Sequence, residues 1–320
     1  MNGHEELIAR LAHRRAAKLG GLTEGGFREL EHAVKEDPDS FIDDPADEAF
    51  ALVVKALDRY EAACRDDDLL DDDAFMAART KRLARLSSDG AAALRVDEHS
   101  LDAALISTLA QDMDADRLLT ALFEMRDNQP APTVPSSGDL WDDVTMRAHV
   151  RLQAAIARTS LDTARFRMAA REGEAALLMA PSDEVGARHT CILAHARLED
   201  EAAFEDLDRR FGRTGDSWNH LARTLLLYKL GRMGAAKRAL EGYVRLCEGG
   251  AYALLKPVLV DIYLPDRPAA RPLSFAEATM AVHEADPIVV DVPDYINWAQ
   301  EQRTVYFAAQ SFAEKHGLDW

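Results

Sequence analysis

Cysteine is scarce in this 320-residue chain: Cys64, Cys191 and Cys247 stand far apart, with no Cys-x-x-Cys spacing among them. So odd and sparse a count points to reduced, partly buried thiols and a cytosolic setting, not a disulfide framework. Aromatic residues make up only 7% of the chain and β-branched runs are few, which argues against a sheet-built core. No apolar stretch approaches the ~18 residues that a membrane-spanning helix needs. The polar start, Met1-Asn2-Gly3-His4-Glu5-Glu6, lacks the apolar core of a secretion signal. Positive charge is also in deficit: 38 Lys and Arg stand against 56 Asp and Glu, for a net charge of −18. A nucleic-acid binder needs cationic surface to displace phosphate counterions, so nucleic acid is not an expected partner. The one basic stripe, Arg79, Lys81, Arg82 and Arg85, reads as cations late in a helix whose other end carries Asp71, Asp72 and Asp73. The expectation is a soluble, cytoplasmic, acidic protein with no membrane partner.

What the chain does have is alanine, leucine and helical periodicity. Its 48% apolar and 29% charged fractions suit a folded chain, and 320 residues suit two domains or one elongated array. Trp218, Leu221, Ala222, Leu225 and Leu226 form an i, i+3, i+4, i+7, i+8 stripe. Phe50, Val53, Val54 and Leu57 follow the same period, as do Met233, Ala236, Leu240, Val244 and Cys247. Asp44-Pro45 reads as an N-cap with proline in the first helical position, and Ser274 to Glu277 has the spacing of a capping box. Gly20, Gly21, Gly90, Gly212, Gly231, Gly249, Gly250 and Gly317 fall where helices are expected to stop. About fifteen helices with short connectors follow, an all-α fold.

The segment Asn128 to Gly138, with prolines at 130, 132 and 135, interrupts this pattern. The organisation it implies is an acidic, divergent helical region over 1–127, a proline-rich linker or loop over 128–139, helical repeats over 140–264 and capping helices over 265–320. In the repeat region helices pair as hairpins: 185–198 with 201–211, and 217–230 with 233–247. Leu198 and Leu230, each closing a first helix, are 32 residues apart, the period of a helical array whose hairpins bury their apolar faces against each other.

At these residues the chain resembles a tetratricopeptide-repeat protein. Tyr228-Lys229-Leu230-Gly231-Arg232-Met233-Gly234-Ala235-Ala236 looks like that family's helix-turn-helix junction, and Ala176, Leu177 and Pro181 resemble the end of a repeat. Thr224 stands where the family usually has glycine or alanine, and Asp200-Glu201 replaces a turn glycine. The stretch from Pro181 to Trp298 is similar to bacterial tetratricopeptide-like proteins of unassigned biochemical role. The resemblance implies antiparallel hairpins stacked as a right-handed α-solenoid whose first helices line a concave groove.

No catalytic motif emerges. The acidic runs Asp66–Asp73 and Asp112–Asp116 suggest calcium, but Arg117 sits at the required turn and Phe123 at the closing glutamate position, so Asp114 and Asp116 read as helix-start residues. His189, Cys191 and His195 are the one close His/Cys cluster, and a structural zinc site wants four such ligands. The glycine-rich stretches at 20–26 and 212–217 lack the lysine and the feeding strand of a phosphate loop and read as helix stops. No metal or cofactor is therefore expected. The candidate site is a peptide- or protein-binding one: Arg188, His189, Trp218, Asn219, Arg223, Tyr228 and Lys229, drawn from first helices of adjacent hairpins. Arg188, Asn219, Arg223 and Lys229 would form a positive patch for an acidic segment, one of which this chain itself carries. Trp218, on the apolar stripe, also reads as a core residue. The function expected is a non-enzymatic scaffold or adaptor, its oligomeric state left open. The alternative is a small-ligand sensor or enzyme with a site between the two helical halves.

Overall fold

The computed structural model describes residues 3–65, 67 and 70–320, apart from the side chain of Asp72. Asp66, Asp68 and Leu69 of the first acidic run lie outside the described residues. Among the described residues there are sixteen α-helices, two short 3-10 turns and no strand. No helix among them is long and apolar enough to cross a membrane. The chain divides into two compact units, residues 1–152 and 153–320, and the proline-rich segment at 128–139 lies within the first.

The first unit contains α1 (Gly3–Lys18), α2 (Glu24–Glu36), α3 (Pro45–Ala63), α4 (Asp72–Val96), α5 (Leu101–Leu109) and α6 (Ala115–Asp127). Its apolar centre joins Leu7 and Leu11 of α1, Val34 of α2, and Phe50 and Val54 of α3. The expected caps are in place: Asp44 accepts from the Ala46 amide with Pro45 following, and Asp114 accepts from the Arg117 amide. Arg82 leaves the basic stripe to pair with both oxygens of Asp67 at 2.7 Å, and Arg79 turns to Asp112. These cations lie in the middle of α4, not in its last turns. Gly90, expected as a helix stop, lies inside α4. A Cβ there would come within 2.9 Å of the Ser107 Cβ and 3.1 Å of the Ser107 backbone, so the glycine permits α4 and α5 to touch. Ser87 and Ser107 exchange hydroxyl-to-carbonyl hydrogen bonds across that contact.

One charged cluster is buried in this unit. Glu6 accepts from Arg10 at 2.6 Å and from both terminal nitrogens of Arg151 at 2.7 and 3.0 Å, while Arg10 also reaches Asp102. Burial alone raises the Glu6 carboxyl, and the guanidinium groups of Arg151 and Arg10 more than reverse this, holding it below its usual range.

The helix α7 runs from Arg147 to Asp162, and every position from Gln153 to Leu161 is buried. Then follow α8 (Phe166–Met179), α9 (Ala187–Arg197), α10 (Glu201–Arg210), α11 (Ser217–Lys229), α12 (Met233–Leu246), α13 (Gly250–Leu255), α14 (Phe275–Val290), α15 (Asp294–Glu301) and α16 (Arg303–His316). Helix α9 packs on α8, α10, α11 and α14, and α11 also packs on α12 and α14. Three turns between a first and a second helix in this unit share one geometry, which also closes α10 at Gly212. Ala164, Glu199 and Gly231 each adopt a left-handed backbone, at φ 56°, 59° and 69°. The next amide in each case returns to the carbonyl five residues earlier: Arg165 to Ser160, Asp200 to His195 and Arg232 to Leu227. This 6→1 bond closes the first helix and launches the second. The spacing between the left-handed positions is 35 and then 32 residues. Five residues beyond each lie Ala169, Phe204 and Ala236, all fully buried.

The expected contact of the last hairpin holds for Ala236, while Leu230 is only half-buried because it caps α11 at the turn. The carboxylate of Glu277 does not return to Ser274 as a capping box requires. It accepts instead from the Leu273 amide and from the amide and hydroxyl of Ser217. The Ser274 hydroxyl keeps its half of the motif by accepting from the Glu277 amide. Replacing Ala236, which is fully buried, with tryptophan should overpack the contact and lower stability by about 1–3 kcal/mol. Thermal or urea unfolding of Ala236→Trp measures this, and a variant as stable as the parent would mean the turn register places position 236 wrongly.

Candidate functional site

Three acidic residues organise the starts of α9 and α11. Asp216 caps α11, accepting from the Asn219 amide at 2.8 Å, while its other oxygen faces Arg188 at 3.4 Å and the His189 Nδ1 at 3.5 Å. Asp183, its side chain wholly buried, accepts from Arg188 at 2.9 Å, and burial pushes its carboxyl up to about 6 against the pull of Arg188 and Arg267. Asp208 of α10 accepts from Asn219 at 2.8 Å and from Arg223 at 2.9 Å.

Of the seven residues expected from sequence, Arg188, His189, Trp218 and Asn219 come together. His189 stacks on Trp218 with ring centroids 4.0 Å apart, and Trp218 is 3% exposed. Arg223 joins them through Asp208 and bonds Glu205 at 2.7 Å. Tyr228 and Lys229 lie at the other end of α11: Tyr228 packs on Tyr295 and Trp298, and Lys229 pairs with Glu199 at 3.2 Å. The cations do not make a patch of excess positive charge, because each has at least one carboxylate of its own.

The residues that complete this region come from the non-helical segment 256–273, which the sequence pattern divides instead between helical repeats up to 264 and capping helices from 265. All five N–H donors of Arg267 are used. They reach both oxygens of Glu284 at 2.7 Å, the carbonyls of Val185 and Gly186 at 2.7 and 2.9 Å, and the Thr190 hydroxyl at 3.1 Å. Arg267 also lies 5.8 Å over the Trp218 ring. Tyr263 donates to Glu284 at 3.0 Å, and Arg158 of α7 donates to the Pro265 carbonyl at 2.5 Å. Burial, with Arg267 nearby, brings Arg158 down to about 10. The same segment and α14 form one wall of a cleft of ≈ 400 Å³ that reaches Asp183, Arg188, His189, Trp218 and Met280. The only sequence signal for this strap is its prolines, and nothing local links Arg267 to Glu284.

The His/Cys cluster is dispersed into packing. Cys191 abuts Gly173, where an added Cβ would lie 2.4 Å from its sulfur, and burial pushes its thiol well up. Among the described residues no group of three or more His, Cys, Asp or Glu is placed to hold a metal ion. The chain matches no family model, no curated protein and no solved structure.

Two outcomes follow from this geometry. Arg223→Glu sets a third carboxylate beside Glu205 and the buried Asp208, so it should cost about 1–3 kcal/mol in stability. A melting temperature equal to that of the parent would show that these pairs contribute nothing. The second concerns pH. Burial, with Arg267 and Arg188 adding to it, drives the His189 imidazole well below its ordinary value. The unfolded chain therefore takes up a proton below pH ~6.5 that the folded chain refuses, and stability present above that pH is lost as pH falls, by at most about 1.4 kcal/mol per unit. His149, His195 and His220 shift the same way, whereas Asp183 and Asp216, both raised by burial, favour the folded state more as pH falls. His189→Gln should flatten the fall in melting temperature between pH 7 and 5 relative to the parent. An unchanged slope would mean that His189 protonates normally in the fold.

Proposed function

We propose that the second unit is a tetratricopeptide-like stack of antiparallel hairpins, and that the protein is a non-enzymatic scaffold holding an extended peptide on the face of its first helices. The repeated turn at Ala164, Glu199 and Gly231 and the packing of α9 on α11 support the stack. The observation that carries the binding reading is the strap itself. An extended segment of this chain meets α7 through Arg158, α9 through Gly186 and Thr190, and α11 through Trp218. Arg158 donates to the strap's Pro265 carbonyl, while the strap's own Arg267 donates to carbonyls at the start of α9 and lies over Trp218. Directional hydrogen bonds beside an aromatic surface suit peptide recognition. On this reading segment 256–273 is a resident ligand, and an external partner presents a segment of similar chemistry: extended, with an arginine between prolines or small residues. The acidic partner expected from a positive patch is not favoured, since Arg188, Arg223 and Lys229 are already neutralised.

The test uses a full-length chain whose residues 257–272 are replaced by a flexible glycine-serine linker of equal length, with helicity checked by far-UV dichroism. A labelled peptide of sequence 256–273 should bind this variant saturably. It should bind the intact chain at least about tenfold more weakly, because a tethered segment competes at an effective concentration in the millimolar range. The same peptide carrying Arg267→Ala should lose most of its affinity. Equal binding of the two peptides, or none to a folded linker variant, would refute the reading.

A further inference from the structure

The cleft of ≈ 400 Å³ walled by the strap and α14 is open while the strap is in place, and three of its buried lining side chains carry polar atoms without partners. Glu277, 7% exposed, accepts from the Leu273 amide and from the amide and hydroxyl of Ser217 through Oε2 alone, so Oε1 has no donor. His189, 8% exposed, turns Nδ1 toward Asp216 at 3.5 Å. Burial keeps this imidazole neutral, with its proton on the nitrogen that faces the carboxylate, and Nε2 is left as an acceptor on the Gly186 side of the ring. Trp218, 3% exposed, has an indole N–H with no acceptor. Buried polar atoms are nearly always paired, so three open positions on one cleft point to a ligand that supplies their partners.

The charges of the lining set the sign of that ligand. Arg188 is matched by Asp183 and Asp216, and Arg267 by Glu284, whereas Glu277 and the exposed Glu184 have no cation. Among the described residues no three acids or imidazoles are grouped to hold a metal ion, so the cation is an organic one. We infer that the cleft binds a primary ammonium with a carbonyl beside it, the α-amino amide found at the free amino end of a peptide or in a small amino-acid amide. A single open carboxylate oxygen suits an ammonium, a point charge with three donors, and not a guanidinium fork, which needs paired oxygens. The ammonium donates to Glu277 Oε1 and His189 Nε2, and the carbonyl accepts from Trp218 Nε1. Val185, Pro268 and Met280 offer apolar surface to the first side chain. The strap serves here as a wall and stays in place, so this site stands whether or not an external peptide can displace it.

The test is a titration of the ¹⁵N-labelled full chain followed at the Trp218 indole N–H signal, which is identified by its loss in Trp218→Phe. The probes are leucinamide and the amide of the tripeptide Leu-Gly-Gly, and at least one should move that signal saturably. Tighter binding of the tripeptide identifies a peptide amino end as the ligand; otherwise the small amide is sufficient. N-acetyl-leucinamide lacks the ammonium and isopentylamine lacks the carbonyl, and each should bind about tenfold more weakly or worse. Glu277→Gln should weaken leucinamide by a similar factor. Because Glu277 also holds the start of α11, Glu184→Gln supplies a second variant: its side chain is exposed, so the melting temperature should hold while affinity falls about two- to threefold. Three results would overturn the inference: no saturable movement of the Trp218 signal with either probe, N-acetyl-leucinamide binding as tightly as leucinamide, or isopentylamine doing so.

Discussion

The ion pair of Arg267 and Glu284 is the interaction on which the second unit turns. Both side chains are more than nine-tenths buried. Taking two such charges out of water costs several kcal/mol each, which their attraction offsets only when every remaining donor and acceptor is also satisfied. Here the guanidinium fills its five donors and Glu284 receives a third hydrogen bond from Tyr263. Burial alone raises the Glu284 carboxyl, and Arg267 overcomes this and holds it ionised below its usual range. The pair fixes three things at once: the strap from which Arg267 extends, the start of α9 whose carbonyls it takes, and the helix α14 that carries Glu284. Each depends on the others, because withdrawing any one leaves a buried charge without its full set of partners.

The Glu6 cluster solves the same problem in the first unit with the signs reversed: one carboxylate is surrounded by arginines from α1 and α7. Each unit thus has a charged centre whose geometry is more exacting than that of its alanine- and leucine-rich core. Apolar packing among small side chains tolerates shifts of register, whereas a fork of N–H donors does not. In helices this uniform, such centres supply directionality that hydrophobic burial lacks.

This division explains what sequence could disclose. Helices, caps and most stops follow from local chemistry, so Asp44, Asp114, Gly212 and Gly231 are readable from a few neighbouring residues. The same local reasoning misplaces Gly90, because a glycine that ends a helix and one that admits a neighbouring helix look alike until the neighbour is known. It passes over Glu199 as well, since the left-handed position usually goes to glycine and here a glutamate takes it. The grouping of Arg188, His189, Trp218 and Asn219 was legible from the order of the hairpins. Their neutralisation was not, because Asp183, Asp208 and Asp216 belong to a loop, a second helix and a cap with no pattern in common. Arg267 lay furthest out of reach: its partners stand 17 and 77 to 82 residues away, in a segment without periodicity.

The charge balance carries a last consequence. In a chain of net charge −18, a surface arginine finds a carboxylate nearby with little selection required. Pairs such as Arg223 with Glu205 or Arg232 with Glu201 therefore say little about function, and exposed pairs of this kind contribute modestly to stability.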